Sequence, residues 1–285
     1  MSVVRSGSYT LSNGGPTLAY TVHLPSTLST DSSRPTKAAL VAHPFGRLGG
    51  SKDDHVVVAL AETLAEQGWA VVRYDARGAG ESGGSASWTG AAEAEDYREL
   101  VREVVLPLIL PPASTAPSSM APDNTAQPTR EQQQQNLNLL LCGYSFGSLA
   151  ASSCPPPHTL PSHPHLTLRT SYLLISYPIS VLWALTLFRS SSFTTALQSL
   201  VHKGENRVLA VYGDQDQFSA VEKLRAWSEG LKKEQANGGR FRVVEVEGAD
   251  HFWQKRTKKR EMLDAVASWL RDSEPQRSSV RPEPR

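Results

Sequence analysis

The stretch LLLCGYSFGS, residues 139–148, carries a serine between two glycines at the end of an apolar run. The pattern G-x-S-x-G, here Gly143 to Gly147, is typical of a sharp turn between a strand and a helix that lifts the serine hydroxyl above a sheet. The preceding LNLLLC predicts the strand, and the following GSLAASS predicts the helix start. Since only three positions of the pentapeptide are fixed, a tight turn with an incidental serine remains the alternative.

The wider chain contains the partners that a reactive serine requires. A free serine is a poor nucleophile and needs a base oriented by an acid. Beside such a turn, the acid and then the histidine follow later strands. Asp214 and Asp216 follow the predicted strand NRVLAVYG, and His251 follows FRVVEVEG. These positions predict a triad of Ser145, His251 and one of the two aspartates.

Acyl chemistry also needs backbone N–H donors for the oxyanion of the tetrahedral intermediate. One donor is the amide of Phe146, directly after the serine. The other is expected from HPFGRLGG, residues 43–50, which follows the predicted strand KAALVA. Pro44 has no N–H, so Phe45 is the first candidate and Gly46 the second. A flexible glycine turn is the alternative interpretation of this loop.

The fold class follows from the alternation of strand and helix patterns. Continuous apolar runs separated by helical segments favour a mainly parallel sheet that is covered on both faces. We predict one α/β domain over residues 1–272, opened by a hairpin around Asn13 to Gly15. The predicted helices are residues 54–67, about 90–110, and a last helix within KKREMLDAVASWLRD. The predicted strands are KAALVAHP, WAVVRYD, NLNLLLCG, TSYLLISYP, NRVLAVYGD and FRVVEVEG.

Two segments have a composition that cannot form a core. Residues 111–136 are rich in Pro, Ser, Thr and Gln, and the tail 273–285 is similar. We interpret the first as an insertion that lengthens one connection of the domain, and the second as a disordered tail.

Composition and charge narrow the class of protein. The 285 residues are 39% hydrophobic and 20% charged, with a net charge of +1, so no basic footprint for nucleic acid is present. The two cysteines, Cys142 and Cys154, fit neither a disulfide framework nor a zinc site, which favours a cytoplasmic protein. The N-terminus has no signal-peptide pattern. The uncharged segment 170–188 is interrupted by Pro178, so we predict no membrane span.

Five motifs in order give a family resemblance: AHPFGRLGGSKDD, YDARGAGES, GYSFGS, GDQD and GADHFW. They resemble the α/β-hydrolases, in particular small, cap-poor serine hydrolases of bacteria and fungi that are dienelactone-hydrolase-like or Xaa-Pro-peptidase-like. The resemblance implies the α/β-hydrolase fold with a minimal cap, since only about thirty residues lie between Tyr177 and Arg207. It also implies a hydrolase that uses water and neither a metal nor an organic cofactor.

The resemblance assigns roles residue by residue. Ser145 corresponds to the nucleophile and His251 to the general base. Asp216, three residues after the glycine that ends its strand, corresponds to the acid, and Asp214 is the alternative acid. Asp250 is out of chain order for this role. The implied substrate is a small to medium carboxylic ester or thioester. A peptidase or amidase with the same triad, and a non-catalytic binding protein that retains the fold, are the alternatives.

Two further expectations concern the surroundings of the triad. In YDARGAGES, Asp75 and Arg77 are expected to pair and Ser82 to cap, so that the segment braces a loop. The mouth of the site is expected to be lined by apolar side chains. In the alternative interpretation, Leu182 and Trp183 are core residues. The expected wall comprises Phe45, Phe146, Trp253, Leu182 and Trp183.

The insertion gives the first testable prediction. Replacing residues 111–136 with a short Gly/Ser linker should leave the melting temperature within a few degrees, because the segment cannot bury enough apolar surface to offset its ordering entropy. Thermal unfolding of the two proteins measures this. A large loss of stability would show that the segment packs on the domain.

Overall fold

The structure is a computed structural model that describes residues 3–12, 14–26, 34–111, 135–157, 166–187, 189–236 and 239–272. Strands and helices alternate along most of the chain, as the sequence predicts. In chain order the elements are β1 (Val3–Thr10), β2 (Thr17–Leu24), β3 (Lys37–Ala42), α1 (His55–Glu66), β4 (Ala70–Tyr74), α2 (Ala91–Leu100), a π-helical turn (Val101–Val105), α3 (Leu106–Ile109), β5 (Gln135–Tyr144), α4 (Gly147–Ser153), β6 (Leu166–Ile175), α5 (Leu182–Leu185), α6 (Ser190–His202), β7 (Arg207–Gln215), α7 (Val221–Glu234), β8 (Phe241–Asp250) and α8 (Arg256–Arg271).

The strands form one eight-stranded sheet in the order β1-β2-β4-β3-β5-β6-β7-β8. β1 and β2 are antiparallel to their neighbours, and β3 to β8 run parallel to one another. β3 lies between β4 and β5, with Ala42 paired to Gly143. The loops that leave β3 and β5 therefore emerge side by side at the carboxyl edge, where open α/β sheets bind ligands.

Helices cover both faces of the sheet, which explains the continuous apolar runs. Successive strand residues point to opposite faces, so Leu40 packs with one core and Val41 with the other. The first core contains side chains of α2, α4, α6 and α7, and the second contains side chains of α1 and α8. The predicted mainly parallel sheet with helices on both faces is confirmed.

The helix boundaries follow local signals. Asp54 caps α1 by accepting a hydrogen bond from the Val56 amide at 2.8 Å, and Gly68 follows the helix with a φ of 85°. The segment predicted as one helix over about 90–110 is α2, the π-helical turn and α3 in succession. After the turn at Ser145, α4 is short and ends at Ser153, before the proline run at 155–157.

The low-complexity segments fall mostly outside the described residues. β5 begins at Gln135, so the last two residues of the predicted insertion belong to a strand, and the linker replacement should be confined to residues 112–134. The tail 273–285 and the hairpin residue Asn13 also lie outside them. Within the described part of the chain, no helix is long and apolar enough to cross a membrane.

Candidate active site

The turn at Ser145 is held in a conformation that few residues adopt. Ser145 has a φ of 53°, which is strained for a residue with a side chain. Its amide donates to the Ile175 carbonyl at 2.8 Å, and its carbonyl accepts from Ser148 at 2.9 Å. These bonds fix the serine between the carboxyl end of β6 and the start of α4. The strain is typical of a nucleophile elbow.

Both motif glycines are required by close backbone approaches. A Cβ at Gly143 would lie 2.2 Å from the Gly147 carbonyl oxygen. A Cβ at Gly147 would lie 2.5 Å from the carbonyl oxygen of Ala42, the last residue of β3. The spacing G-x-S-x-G is therefore a steric requirement of packing α4 against β3 and β5.

Ser145, His251 and Asp216 form one hydrogen-bonded chain. The His251 Nε2 lies 2.8 Å from the Ser145 Oγ, and its Nδ1 lies 2.6 Å from the Asp216 Oδ2. Because a carboxylate only accepts hydrogen bonds, Nδ1 carries the proton and Nε2 accepts from the serine hydroxyl. All three residues are buried, and the Asp216 side chain has no exposed surface.

The backbone around the chain holds both partners of the serine in place. The second Asp216 oxygen, Oδ1, accepts from the amides of Phe218 and Ser219 at 2.8 and 2.9 Å. The His251 carbonyl accepts from the Tyr144 hydroxyl at 2.8 Å, which ties the histidine loop to the residue before Ser145. The carboxylate and the imidazole thus have fixed orientations.

The other two aspartates lie in different contacts. Asp214 Oδ1 accepts from the Gly248 amide at 2.6 Å and so links the ends of β7 and β8. Asp250 Oδ1 accepts from the Gln254 amide at 3.3 Å in the turn after β8. Of the two aspartates that the sequence offered as acid, the structure brings Asp216 to His251.

The loop after β3 lies beside the elbow. The Phe45 and Phe146 rings are in contact, with centroids 5.0 Å apart. A hydrogen bond of 2.9 Å from the Ala76 amide to the His43 Nε2 anchors the start of this loop. Burial lowers the pKa of His43, which keeps the ring neutral and its Nε2 free to accept. The two segments predicted to supply oxyanion donors are therefore adjacent.

Asp75 braces the far end of the same loop. Its two oxygens accept from the Lys52 amide at 2.7 Å and the Glu81 amide at 2.9 Å. The Lys52 Nζ lies 3.3 Å from Asp75 Oδ2 and 2.5 Å from the Glu81 carboxylate. Burial would lower the pKa of Lys52, but its bonds to Glu81 and Asp53 outweigh this and raise the pKa. Lys52 therefore stays charged and holds the two loops together.

The predicted pair of Asp75 and Arg77 is wrong. The Asp75 oxygens are already taken by backbone amides, and the Arg77 Nε instead donates to Asp96 of α2 at 2.7 Å. Ser82 does bond the backbone of this region: its Oγ donates to the Asp75 carbonyl at 2.6 Å and accepts from the Ala19 amide at 2.8 Å. The segment braces a loop as expected, but through different partners.

The predicted apolar wall needs correction. Trp253 is fully buried in the core under α8, and its Nε1 donates to the Ser176 Oγ at 3.0 Å, so it lines no mouth. Leu182 is a core residue that shares a cluster with Phe146, whereas Trp183 is 54% exposed. The Phe218 and Phe252 rings contact His251 with centroids at 4.6 and 5.5 Å, and the buried Tyr144 ring lies at 5.9 Å. The positions of the two phenylalanines beside Asp216 and His251 were the signal that sequence reasoning missed.

The fold and the elbow define a class of protein: the chain has the α/β-hydrolase fold, with one four-residue helix and loops between β6 and α6 where larger members carry a cap. Residues 14–105, less than half of the chain, match the family model described as X-Pro dipeptidyl-peptidase (S15 family). The matched part includes the loop after β3 and YDARGAGES, but it ends before Ser145. A sequence comparison with curated proteins gives no significant match.

Solved structures agree with this fold over nearly the whole chain. An α/β serine hydrolase homologue from Coxiella burnetii aligns with a TM-score of 0.61 and 19% identity, covering 95% of this chain and 97% of that one. XC6422 from Xanthomonas campestris, an α/β serine hydrolase without a lid, gives 0.61 and 21%, covering 95% of both chains. Est1E from Butyrivibrio proteoclasticus, solved with ferulic acid, gives 0.61 and 17%, covering 93% and 98%. Identities this low establish the fold alone.

The steric requirement at the elbow gives the second prediction. Gly147→Ala should destabilise the protein by about 1–3 kcal/mol, as overpacking does, because the new Cβ meets backbone atoms of β3. Gly230→Ala is the matched control: a Cβ there meets nothing within 4 Å, so helix α7 should gain about 0.5–1 kcal/mol. Thermal unfolding of both variants measures this. Equal stability of Gly147→Ala and the wild type would contradict the packing described.

Proposed function

We propose that the protein is a serine hydrolase acting on a carboxylic ester or thioester of small to medium size. The observation that supports this most is the hydrogen-bonded chain from Ser145 through His251 to Asp216. An activated serine needs a base within hydrogen-bond reach and a third group that orients the base. Both distances meet this requirement without a bound substrate.

In the proposed acylation, the Ser145 Oγ attacks the acyl carbon while the His251 Nε2 takes the hydroxyl proton. The imidazolium that forms is stabilised by Asp216, which does not itself take a proton. The bond to the leaving oxygen or sulfur then breaks as His251 returns the proton to it. In the second half, water attacks the acyl-serine, its proton passes through Nε2 to Oγ, and the acid product leaves.

The oxyanion is proposed to bind the amides of Phe45 and Phe146. The first lies in the loop that His43 and Asp75 anchor, and the second follows the strained serine. Donors that are fixed before the reaction stabilise developing charge without reorganisation, which is worth about 3–4 kcal/mol for one donor. The two bracing contacts of the loop serve this purpose.

A peptidase acting through the same triad is the second candidate. It is favoured by the match of residues 14–105 to the X-Pro dipeptidyl-peptidase model. An ester substrate is favoured by structural similarity to an esterase domain from Rhodothermus marinus and to Est1E with bound ferulic acid. Parallel assays with p-nitrophenyl esters of increasing acyl length and with Xaa-Pro p-nitroanilides decide between the two.

We propose that the protein is cytoplasmic. Cys142 and Cys154 are both buried and free, and burial raises the pKa of both thiols, that of Cys154 to about 12. Such thiols act as small apolar side chains, which suits a reducing compartment.

Among the described residues, no cluster of His, Cys, Asp or Glu is arranged to hold a metal ion.

The third prediction tests the triad. Ser145→Ala and His251→Ala should each lower kcat for ester hydrolysis on the order of 10⁶-fold, because nucleophile and base act as one unit. Ser145→Ala should also abolish labelling by a fluorophosphonate probe. Ester hydrolysis at the wild-type rate by a folded Ser145→Ala protein would refute the proposal.

The fourth prediction separates the two aspartates. Asp216→Asn should lower kcat by roughly 10⁴-fold, because the amide no longer holds the imidazole in the reactive tautomer. Asp214→Asn is the matched control and should have the smaller effect on kcat, since its side chain bonds the Gly248 amide and not His251. Steady-state kinetics of both variants decides. The reverse order of the two effects would assign the acid role to Asp214.

A further inference from the structure

Two phenylalanine rings contact each other and the histidine of the site. The Phe218 and Phe252 rings each lie edge-on to His251, at interplanar angles of 75° and 80°. They also lie edge-on to each other, with centroids 5.6 Å apart. Edge-to-face contacts in this distance range are favourable for aromatic rings. Phe218 and Phe252 therefore form one unit beside the imidazole, which we name the aromatic pair.

The aromatic pair presents apolar surface to solvent next to a buried imidazole. Phe252 is 42% exposed, although its neighbours His251 and Trp253 are buried, and Phe218 is partly exposed. Apolar and aromatic side chains next to a few well-placed polar groups are the usual lining of a small-molecule site.

The backbone on either side fixes the position of both rings. The Phe218 amide donates to Asp216 Oδ1 at 2.8 Å, so the ring is carried by the loop that holds the carboxylate. The Gln217 side chain accepts from the His251 amide at 3.0 Å and joins this loop to the turn that carries Phe252. The surface is formed before any ligand arrives, which lowers the entropic cost of binding one.

The chemistry of the proposed reaction decides which part of a substrate lies here. The leaving oxygen must approach the His251 Nε2, because that atom returns the proton to it. In the proposed mechanism the acyl carbonyl oxygen is bound at the amides of Phe45 and Phe146, which follow β3 and β5, whereas the aromatic pair follows β7 and β8 further along the sheet edge. The group attached to the leaving oxygen is therefore the part of the substrate next to the His251 ring and the aromatic pair.

We propose that Phe218 and Phe252 form a leaving-group subsite, and that the substrate is an ester of an apolar, ring-containing alcohol. The inference rests on the proposed function and specifies the alcohol side of its substrate. An aromatic ring in this subsite gains an additional edge-to-face contact with the exposed Phe252, which is worth about a 3- to 10-fold preference.

Benzyl acetate and methyl acetate test the subsite because they share an acyl group and differ in the alcohol. For Phe252→Ala, kcat/KM should fall about 3- to 10-fold more with benzyl acetate than with methyl acetate. Phe252→Leu should show most of this selective loss, since leucine keeps apolar bulk but lacks the ring. Val4→Ala is the control: Val4 is 53% exposed on the edge strand β1, and its variant should leave the ratio unchanged.

A second measurement distinguishes a subsite from support of the histidine. The leaving group departs before the acyl-enzyme is hydrolysed, so deacylation after a burst with p-nitrophenyl acetate should be the same in Phe252→Ala and the wild type. Equal losses for both acetates, or a slower deacylation, would overturn the subsite and assign the ring to positioning His251. If the wild type forms no acyl-enzyme with any ester, the proposed function fails and the subsite with it; a normal burst with no benzyl preference rejects the subsite alone.

Discussion

The contact between Gly147 and the end of β3 is the constraint on which the site depends. A Cβ atom at Gly147, the first residue of α4, would lie 2.5 Å from the Ala42 carbonyl oxygen, so no residue with a side chain fits there. Next to this contact the chain passes through a positive φ at Ser145, and the Phe146 ring contacts Phe45 of the loop after β3. The strain at the serine is thus maintained by the packing of α4 on the central strands, which is among the most buried parts of the sheet.

Much of the fold was predictable because local sequence patterns indicate the strands and the ends of the helices. Continuous apolar runs indicate strands buried on both faces, and Asp54 and Gly68 mark the ends of α1. The approximate site was also predictable from the order of the strands. Residues that follow parallel strands lie at one edge of the sheet, so Ser145 and His251 were expected at the same edge. Choosing Asp216 over Asp214 required the family resemblance, because in the sequence both lie next to the end of the same apolar run. In the structure Asp214 lies within β7, at an irregularity in its pairing with β8, and Asp216 follows the strand.

The parts that sequence reasoning missed depend on competition in three dimensions. Asp75 and Arg77 are two residues apart and of opposite charge, yet backbone amides take the carboxylate, and Arg77 finds the buried Asp96 on a helix. Trp253 was expected at the mouth, but its positive φ of 53° turns the side chain into the core. Phe252, its neighbour, is exposed in its place. Residue spacing in the sequence does not predict these contacts, because each depends on partners that are distant along the chain.

The insertion joins the fold at a point that has a consequence for how this protein can vary. The segment 112–134 ends directly before Gln135, the first residue of β5, whereas Ser145 follows the last residue of that same strand. In a strand of ten residues these two ends are roughly 30 Å apart, at about 3.3 Å per residue. The junction at Gln135 is therefore separated from the serine by the full length of β5. A change of chain length at this junction leaves intact the pairing of β5 with β3 and β6 that positions Ser145, whereas a change in the loops at the opposite edge alters the surroundings of the serine directly.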